Sequence, residues 1–253
     1  MNSQRMTRSF TRADLAHSLD AMVDRVDATL STLDGGFPLV ADPETGAWTT
    51  TEDGNWCGGH WIGLLWLAAE RTGADRFAEA ARAYTDRMAA ADDLLASMFA
   101  GMNYNYAGFR AFDLTGEDRF RTLGLRGADA MVSLYHERAR QIPVGEYTIA
   151  GPAEQFEFAG TVGDRSPGSQ IGAVDMVYTS VPILWRAHRE TDEDRYREIA
   201  TAHVDRHHDW YVREDGSTVQ EAEFDPEARK RQEESAGFTE DENDPITAGN
   251  DDD

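Results

Sequence analysis

HWIGLLWLAAERTGADRFAEAARAYTDRM, residues 60–88, contains the pattern that decides the fold. Its first part is an apolar, helix-like segment and its last part is amphipathic, with the phrase TGADRF at 72–77 between them. Glycine tolerates the left-handed conformation that ends a helix, and an aspartate near the start of the next helix faces the positive end of its dipole. The stretch therefore predicts two helices joined by a tight turn, a helical hairpin.

The same phrase recurs as TGEDRF at 115–120 and as TDEDRY at 191–196. Each copy follows an apolar segment and precedes an amphipathic one, so the hairpin is predicted at least three times. An apolar stripe of helical spacing over 10–33 adds an N-terminal helix, which gives about seven substantial helices. Repeated hairpins are typical of an α/α toroid or a helical solenoid, and the fold class is predicted as all-α.

The chain changes character near residue 226. A Gly/Pro-rich insert occupies 144–170, and EDGSTVQEAEFDP at 214–226 predicts a short β-hairpin or an extended loop. From Glu227 the sequence is acidic and poor in aliphatic residues. We therefore expect one helical domain over 1–226 and a disordered acidic tail over 227–253.

Composition restricts the partners of this protein. The 253 residues are 40% hydrophobic and 10% aromatic, which suits a packed globule, yet the formal net charge is −23. Lys230 is the only lysine, and the other basic residues are arginines. An acidic, lysine-poor surface indicates adaptation to molar salt, where the Debye length falls to about 3 Å; an ordinary acidic protein is the alternative. Such a surface repels nucleic acid and anionic membranes, so neither is an expected partner.

The expected location is the cytoplasm. Cys57 is the only cysteine, so no disulfide forms within the chain, and the first residues contain no apolar signal core. No run approaches the ~20 apolar residues that a membrane-spanning helix needs.

Several familiar catalytic patterns are missing from the sequence. The glycines of GNWCGGHWIGLLW at 54–66 do not match a dinucleotide-binding fingerprint, and no nucleophile elbow or Walker loop occurs. His203 and His207 share a helix face, but no carboxylate completes a metal site, so neither a metal nor a cofactor is predicted.

Asp175 and Trp56 are candidate functional residues. Asp175 begins an otherwise apolar stretch, GAVDMVYTSVPILW at 172–185, where it is either a helix N-cap or a group held for chemistry. Trp61 and Trp66 are expected in the core of the following helix, whereas Trp56 precedes a double glycine at the mouth of that helix, where its ring could stack on a sugar.

Three segments resemble the unsaturated glucuronyl hydrolases. WCGGHWIGLLWLAAERTGADRF is similar to the tryptophan-led helix and Thr-Gly turn of that family. VDMVYTSVPILWRAHRETDEDRYREIATAH is similar to its aspartate-containing helix and the following histidine helix, and YVREDGSTVQEAEFDPE to the segment after these. The resemblance covers roughly residues 15–240 in order.

This resemblance implies an (α/α)6 toroid and a hydrolase. Members remove a 4,5-unsaturated uronic acid from the non-reducing end of oligosaccharides by acid-assisted hydration of a vinyl ether. By the same matching, Asp175 stands at the acid/base aspartate, in an apolar surround that would raise its pKa. Trp56 stands at the sugar-stacking tryptophan and His203 at a histidine that bonds the sugar.

Two departures from the family change the expectations. The family's His-Asp-x-Gly-Phe motif corresponds to NYAGF at 105–109, so Asn105 and Tyr106 replace the histidine and a second aspartate as substrate-binding candidates. About seven helices are also too few for a twelve-helix ring. The open alternatives are therefore an active hydrolase, an inactive truncated remnant that still binds sugar, an interaction protein of the same fold, and a half-ring that a second chain completes.

Overall fold

The computed structural model describes residues 10–91, 95–144, 170–224 and 230–234. The helices there are α1 (Arg12–Thr32), α2 (Gly58–Thr72), α3 (Asp75–Ala89), α4 (Phe99–Tyr104), α5 (Ala111–Thr115), α6 (Asp118–Leu134), α7 (Met176–Thr191) and α8 (Asp194–Tyr211). A π-helical turn, Asn105–Arg110, joins α4 to α5. The strands are β1 (Phe37–Ala41), β2 (Trp48–Thr51), β3 (Gln170–Ala173), β4 (Glu221–Phe224) and β5 (Lys230–Glu234).

The described residues form two compact units. The first unit contains 10–91 and 103–125, and the second contains 95–102, 126–144, 170–224 and 230–234. Counting α4, the π-turn and α5 as one segment gives seven helical segments in the described part of the chain, as the sequence predicts.

The three recurring phrases are the turns of helical hairpins. Gly73, Gly116 and Asp192 have φ of 69°, 68° and 60°, and the backbone N–H of each donates to the carbonyl four residues earlier at 2.8 Å. The threonine before each of them accepts a hydrogen bond from the N–H two residues on, at 3.2 Å in each case. The predicted hairpins are thus confirmed, and Asp192 shows that the third turn adopts the left-handed conformation without glycine.

The Asp-Arg-aromatic part of the phrase explains why it recurs. Arg76, Arg119 and Arg195 bond to aspartates at 2.9, 2.7 and 2.8 Å. The aspartates are Asp27 on α1, Asp86 on α3 and Asp129 on α6. Each guanidinium also lies 4.3–4.4 Å from the ring centre of the next residue, and that aromatic ring is buried. The motif therefore anchors the start of one helix both to an earlier helix and to the core.

The core of the first unit surrounds α2. The rings of Trp66 and Phe120 meet edge to face at 5.8 Å, and those of Trp61 and Tyr84 at 6.0 Å. The two-stranded sheet β1–β2 covers one end with Phe37, which is fully buried. Trp61 and Trp66 are thus core residues, as the sequence predicts.

Helix α1 begins with a capping box and leaves much of its apolar stripe open. Thr11 Oγ1 accepts from the Asp14 N–H at 3.1 Å, while Asp14 accepts from the Thr11 N–H at 2.9 Å. Val26 is buried, but Leu19 and Met22 are 51% and 54% exposed. The predicted helix is confirmed, whereas part of its apolar face lacks a covering element among the described residues.

The second unit combines helices with a three-stranded antiparallel sheet in the order β3–β4–β5. Ala173 pairs with Glu221, and the Val174 N–H donates to the Gln220 carbonyl at 2.8 Å. The core of this unit includes Tyr211, Val219 and Phe224, all at most 1% exposed. The sheet thereby fixes the end of β3, and after two further residues in the chain, Val174 and Asp175, α7 begins at Met176.

The C-terminal boundary differs from the expectation. Strand β5 lies inside the segment predicted as a tail, because its backbone pairs with β4 from Glu221 to Phe224. In the segment predicted as a hairpin, Thr218 forms an isolated bridge with Val212, which precedes the segment, and β4 follows. The insert at 144–170 and the rest of the tail lie, apart from their few described residues, outside the part that the structure describes.

Candidate functional site

Trp56 lies in the loop between β2 and α2. Gly54 and Asn55 have φ of 91° and 44°, so the chain makes a left-handed turn before the tryptophan. The Gly54 carbonyl accepts from the N–H of Gly58 at 2.7 Å and from that of Cys57 at 3.2 Å. These bonds lead the loop into α2 and leave Trp56 half-buried at the start of that helix.

Cys57 follows Trp56 but is not a reactive thiol. Burial raises the pKa of its thiol to about 11, so the thiol stays protonated near neutral pH. Its Sγ lies 3.9 Å from the Pro38 carbonyl.

Asn105 and Tyr106 open the π-helical turn. A π-turn adds one residue to a helix and is frequent at functional sites. Both side chains are half-buried, and the Tyr106 ring packs on α2, where a Cβ at Gly63 would lie 3.2 Å from it. The centres of the Tyr106 and His60 rings are 5.2 Å apart. The structure thus brings Tyr106 to the first two turns of the helix that follows Trp56.

His60 and Asn103 are candidate residues that the sequence analysis missed. His60 is half-buried, and burial lowers its pKa, so the ring facing Tyr106 is neutral at pH 7. Asn103 is fully buried beside the Trp56 loop. Local periodicity gave no signal for either, since both acquire their surroundings from residues more than forty positions away.

Asp175 occupies the N-cap position of α7. Its carbonyl accepts from the Thr179 N–H at 3.1 Å, but its carboxylate makes no capping hydrogen bond. The side chain is exposed, so the described residues do not form the expected apolar surround. Met176 turns into the core, which is why the apolar stretch does not enclose the aspartate. The carboxylate stands at the positive end of a helix, open to solvent.

His203 lies inside the second unit. It is 0% exposed, and its Nδ1 accepts a hydrogen bond from the Ile142 N–H at 3.2 Å. The backbone of Met176, the residue after Asp175, interacts with its ring. Burial and the neighbouring His207 lower the pKa of His203 to about 3. His203 is therefore a neutral core histidine behind the start of α7, and in this structure its ring does not reach the surface.

His207 continues the same buried face of α8. Its ring stacks on Tyr211 with 4.2 Å between centres, and its centre is 5.6 Å from that of His203. Burial lowers the pKa of His207 to about 4, and the backbone of Val174 interacts with its ring. The two histidines thus contact the residues on either side of Asp175.

The five predicted site residues are divided between the two units. Trp56, Asn105 and Tyr106 belong to the first unit, and Asp175 and His203 to the second. Within the described ranges, no group of three His, Cys, Asp or Glu residues could hold a metal ion.

No family model matches the chain, but individual proteins similar to it are hydrolases of unsaturated sugars. It is 22% identical over 221 residues to an unsaturated chondroitin disaccharide hydrolase of Streptococcus pneumoniae, covering 86% of this chain and 51% of that protein. It is 26% identical over 195 residues to an unsaturated glucuronyl hydrolase of a Bacillus species, covering 76% and 47%. The chain therefore spans about half the length of the curated relatives it matches.

Solved structures show the same fold. The unsaturated glucuronyl hydrolase of Streptococcus agalactiae aligns with a TM-score of 0.75 at 18% identity, over 93% of this chain and 56% of that one. A heparin-specific unsaturated glucuronyl hydrolase aligns with a TM-score of 0.71 at 17% identity, over 86% and 54%. The prediction of an (α/α)6 toroid fold, of which this chain covers about half, is confirmed.

Proposed function

We propose, on the premise that this chain belongs to the unsaturated glucuronyl hydrolase family, that it takes part in removing a 4,5-unsaturated uronic acid from the non-reducing end of an oligosaccharide. Similarity to unsaturated chondroitin disaccharide hydrolases and to an unsaturated glucuronyl hydrolase supports this substrate class. One solved relative is complexed with dGlcA-GalNAc6S, an oligosaccharide of this class.

The observation that carries the proposal is the exposed carboxyl group of Asp175. It stands at the start of α7, makes no capping hydrogen bond, and is open to a ligand. In the proposed reaction its proton goes to C4 of the vinyl ether, and water adds at C5 and returns a proton to the carboxylate. The resulting hemiketal opens and releases the rest of the oligosaccharide. One carboxyl group then serves as general acid and general base.

A bound substrate would supply the cover from water that the exposed Asp175 lacks. A carboxyl group donates a proton efficiently when its pKa lies near the working pH. Covering Asp175 with a sugar ring removes water from it, which favours the neutral, proton-donating form. We therefore propose that protonation of Asp175 is coupled to substrate binding.

The remaining candidates are proposed to bind the sugar or to support the acid. Trp56 would stack on a sugar ring, while Asn105 and the Tyr106 hydroxyl would bond to sugar oxygens. Tyr106 replaces a carboxylate, so it offers a hydrogen bond without negative charge, which favours a substrate that is itself anionic. His203, buried behind Met176, would support the start of α7 unless its ring becomes accessible when substrate binds.

The direct test measures the loss of ultraviolet absorbance as an unsaturated disaccharide is hydrated, in high salt. Asp175→Asn should abolish turnover, and Asp209→Asn, another exposed aspartate of the second unit, should not. Equal activity of wild type and Asp175→Asn would refute the assignment. Trp56→Phe and Tyr106→Phe should mainly raise KM.

A second proposal concerns completion of the ring. Beside α1 and α2 lies an apolar groove of about 380 Å³ lined by Leu19, Met22, Val26, Leu64 and Leu67. Leu67 on α2 is 50% exposed, and the apolar residues Leu19 and Met22 of α1 are also exposed. We propose that hairpins equivalent to the uncovered half of the relatives, on this polypeptide or a second chain, cover this groove. Without them, the protein would be a non-catalytic sugar-binding remnant or an interaction protein.

The groove can be tested without any assay of activity. The 253-residue chain should bind an apolar dye, and a Leu19→Glu/Met22→Glu variant should bind much less. Asp24→Glu, an exposed substitution on the same helix, is the matched control. Full turnover by the purified 253-residue monomer would rule out both the remnant and the need for a second chain.

We also propose that the protein works in salt-rich cytoplasm. The acidic, lysine-poor composition supports the salt adaptation, and the lone Cys57 is consistent with a reducing compartment. In the part of the chain that the structure describes, every helix is too short or too polar to span a bilayer.

A further inference from the structure

Asn103 connects the end of α4 to both sides of the Trp56 loop. Its Oδ1 accepts a hydrogen bond from the Gly59 N–H at 2.8 Å, and its Nδ2 donates to the Asn55 carbonyl at 2.9 Å. The side chain is 0% exposed. One buried amide therefore holds the residue directly before Trp56 and the residue three positions after it.

The backbone around this amide is closely packed. A Cβ at Gly59 would lie 2.3 Å from the Asn103 Cα and 2.6 Å from its carbonyl oxygen, so α2 and α4 touch through their main chains there. Asn55 has a φ of 44°, a left-handed conformation that asparagine adopts more readily than most residues and that constraints from its surroundings help to keep in place. The hydrogen bond from Asn103 to the Asn55 carbonyl is one such constraint.

We propose that Asn103 is a positioning residue that fixes the direction of the Trp56 ring. This inference rests on the proposed stacking of Trp56 against a sugar. An aromatic ring that is already oriented loses less conformational freedom when it binds a ligand, so the fixed loop strengthens binding. The role requires both hydrogen bonds, because each restrains a different side of the loop.

The test uses protein labelled with 5-fluorotryptophan and fluorine NMR. The chain contains six tryptophans, and the Trp56→Phe variant assigns the Trp56 signal. Asn103→Ala should shift or broaden that signal and leave the exposed Trp185 signal unchanged. Asn103→Asp keeps the acceptor for Gly59 but loses the donor to Asn55, so it should also move the Trp56 signal.

Thr85→Ala is the matched control. Thr85 is 1% exposed in the same unit, and its hydroxyl donates to the Ala81 carbonyl at 2.7 Å, far from the loop in sequence. This control removes one buried side-chain bond without touching Asn55 or Gly59. If Asn103→Ala does not fold, the Trp56 signal of the near-isosteric Asn103→Asp variant tests the proposal instead. An unshifted, equally sharp Trp56 signal in a folded Asn103 variant would overturn the proposal.

A binding measurement separates this inference from the proposed function. Titration of an unsaturated chondroitin disaccharide should give a Kd about three- to tenfold weaker for Asn103→Ala, the effect of losing about one hydrogen bond. The Thr85→Ala protein should bind like wild type. If Trp56→Phe binds the sugar normally while Asn103→Ala still moves the Trp56 signal, the stacking role fails and the positioning role stands.

Discussion

Arg76 on α3 forms a two-pronged ion pair with Asp27 on α1, its Nε and Nη2 donating to the two carboxylate oxygens at 2.9 and 3.0 Å. These bonds lower the pKa of Asp27 and raise that of Arg76. An Arg–Asp pair recurs in the other two hairpins, so the geometry belongs to the repeat rather than to one site.

Reversing one charge of this pair should destabilise the first unit, and reversing both should restore part of the loss. Arg76→Asp places two carboxylates together, whereas Arg76→Asp with Asp27→Arg recreates an ion pair of opposite direction. Denaturant midpoints of the two single variants and the double variant measure the coupling. The stability changes of the two single variants can be added to predict that of the double variant. A double variant that is no more stable than this sum would contradict the interpretation.

The stability of the whole chain should rise with salt. At −23 the folded protein repels itself, and raising NaCl from 0.1 to 1 M shortens the Debye length from about 10 to about 3 Å. Thermal unfolding at several NaCl concentrations should therefore show an increasing Tm. The cost of the Arg76→Asp reversal should shrink over the same range, since exposed pairs are screened. A Tm that is flat or falls would argue against salt adaptation.

Acid should destabilise the second unit before the carboxylates are protonated. His203 and His207 take up protons near pH 3 and 4 when folded, but near 6.5 when unfolded. Between pH 6.5 and 4 the unfolded chain binds more protons, so stability falls as pH falls, by up to about 1.4 kcal/mol per pH unit for each histidine.

Urea unfolding between pH 7 and 4.5 measures that slope. His207→Phe keeps a ring on Tyr211 but cannot titrate, so its slope should be shallower than that of wild type. His208→Gln, an exposed neighbour on the same helix, should retain the wild-type slope. Equal slopes for wild type and His207→Phe would show that the buried imidazole does not control the acid response.

Gly101→Ala should disrupt the second unit. A Cβ there would lie 1.9 Å from the Thr179 carbonyl oxygen, so the α4 and α7 backbones would have to separate. We expect a loss of about 2–3 kcal/mol or more. Gly46→Ala is the comparison, because a Cβ at that position would meet open space. Its only cost, about 1 kcal/mol, comes from placing a side chain on a residue with a φ of 72°. Similar unfolding midpoints for the two variants would contradict the close contact.

Substitution at Thr11 should cost more stability than substitution at Asp175. Thr11 closes a capping box at α1, so Thr11→Ala should cost about 1 kcal/mol. Asp175 makes no capping bond, so Asp175→Asn should change stability by less than about 0.5 kcal/mol. Calorimetry of both variants provides the comparison. A large loss for Asp175→Asn would favour a structural role over a chemical one.

Much of the fold could be predicted because its determinants are local. The periodicity of α1, the left-handed turn at Gly73 and the first-turn aspartates depend on residues within one or two helical turns. The recurring phrase identified the hairpins, although its arginine partners, such as Asp27, are about fifty residues away and were not apparent. Strand β5 was missed because a strand of polar residues is defined by its pairing with β4.

The candidate site was only partly predictable. Asp175 was singled out, but the apolar residues around it in sequence face the core while its own carboxylate faces solvent. His203 was expected to reach a sugar, and the structure places it under Met176 beside Ile142. Neighbouring residues in the first turn of a helix point in different directions. Two residues that are adjacent in the sequence therefore need not share the same surroundings.

The sequence by itself therefore determined the turns at which the helices end and that the helices pair as hairpins, and it singled out Asp175 as a candidate for acid–base chemistry. The tertiary structure decided which of these residues are buried, that Tyr106 meets His60 in a π-helical turn, and that Asn103 holds the Trp56 loop. Helix boundaries follow from short-range sterics and hydrogen bonds. Burial and side-chain contacts are set by packing between segments far apart in the chain, which local periodicity cannot encode.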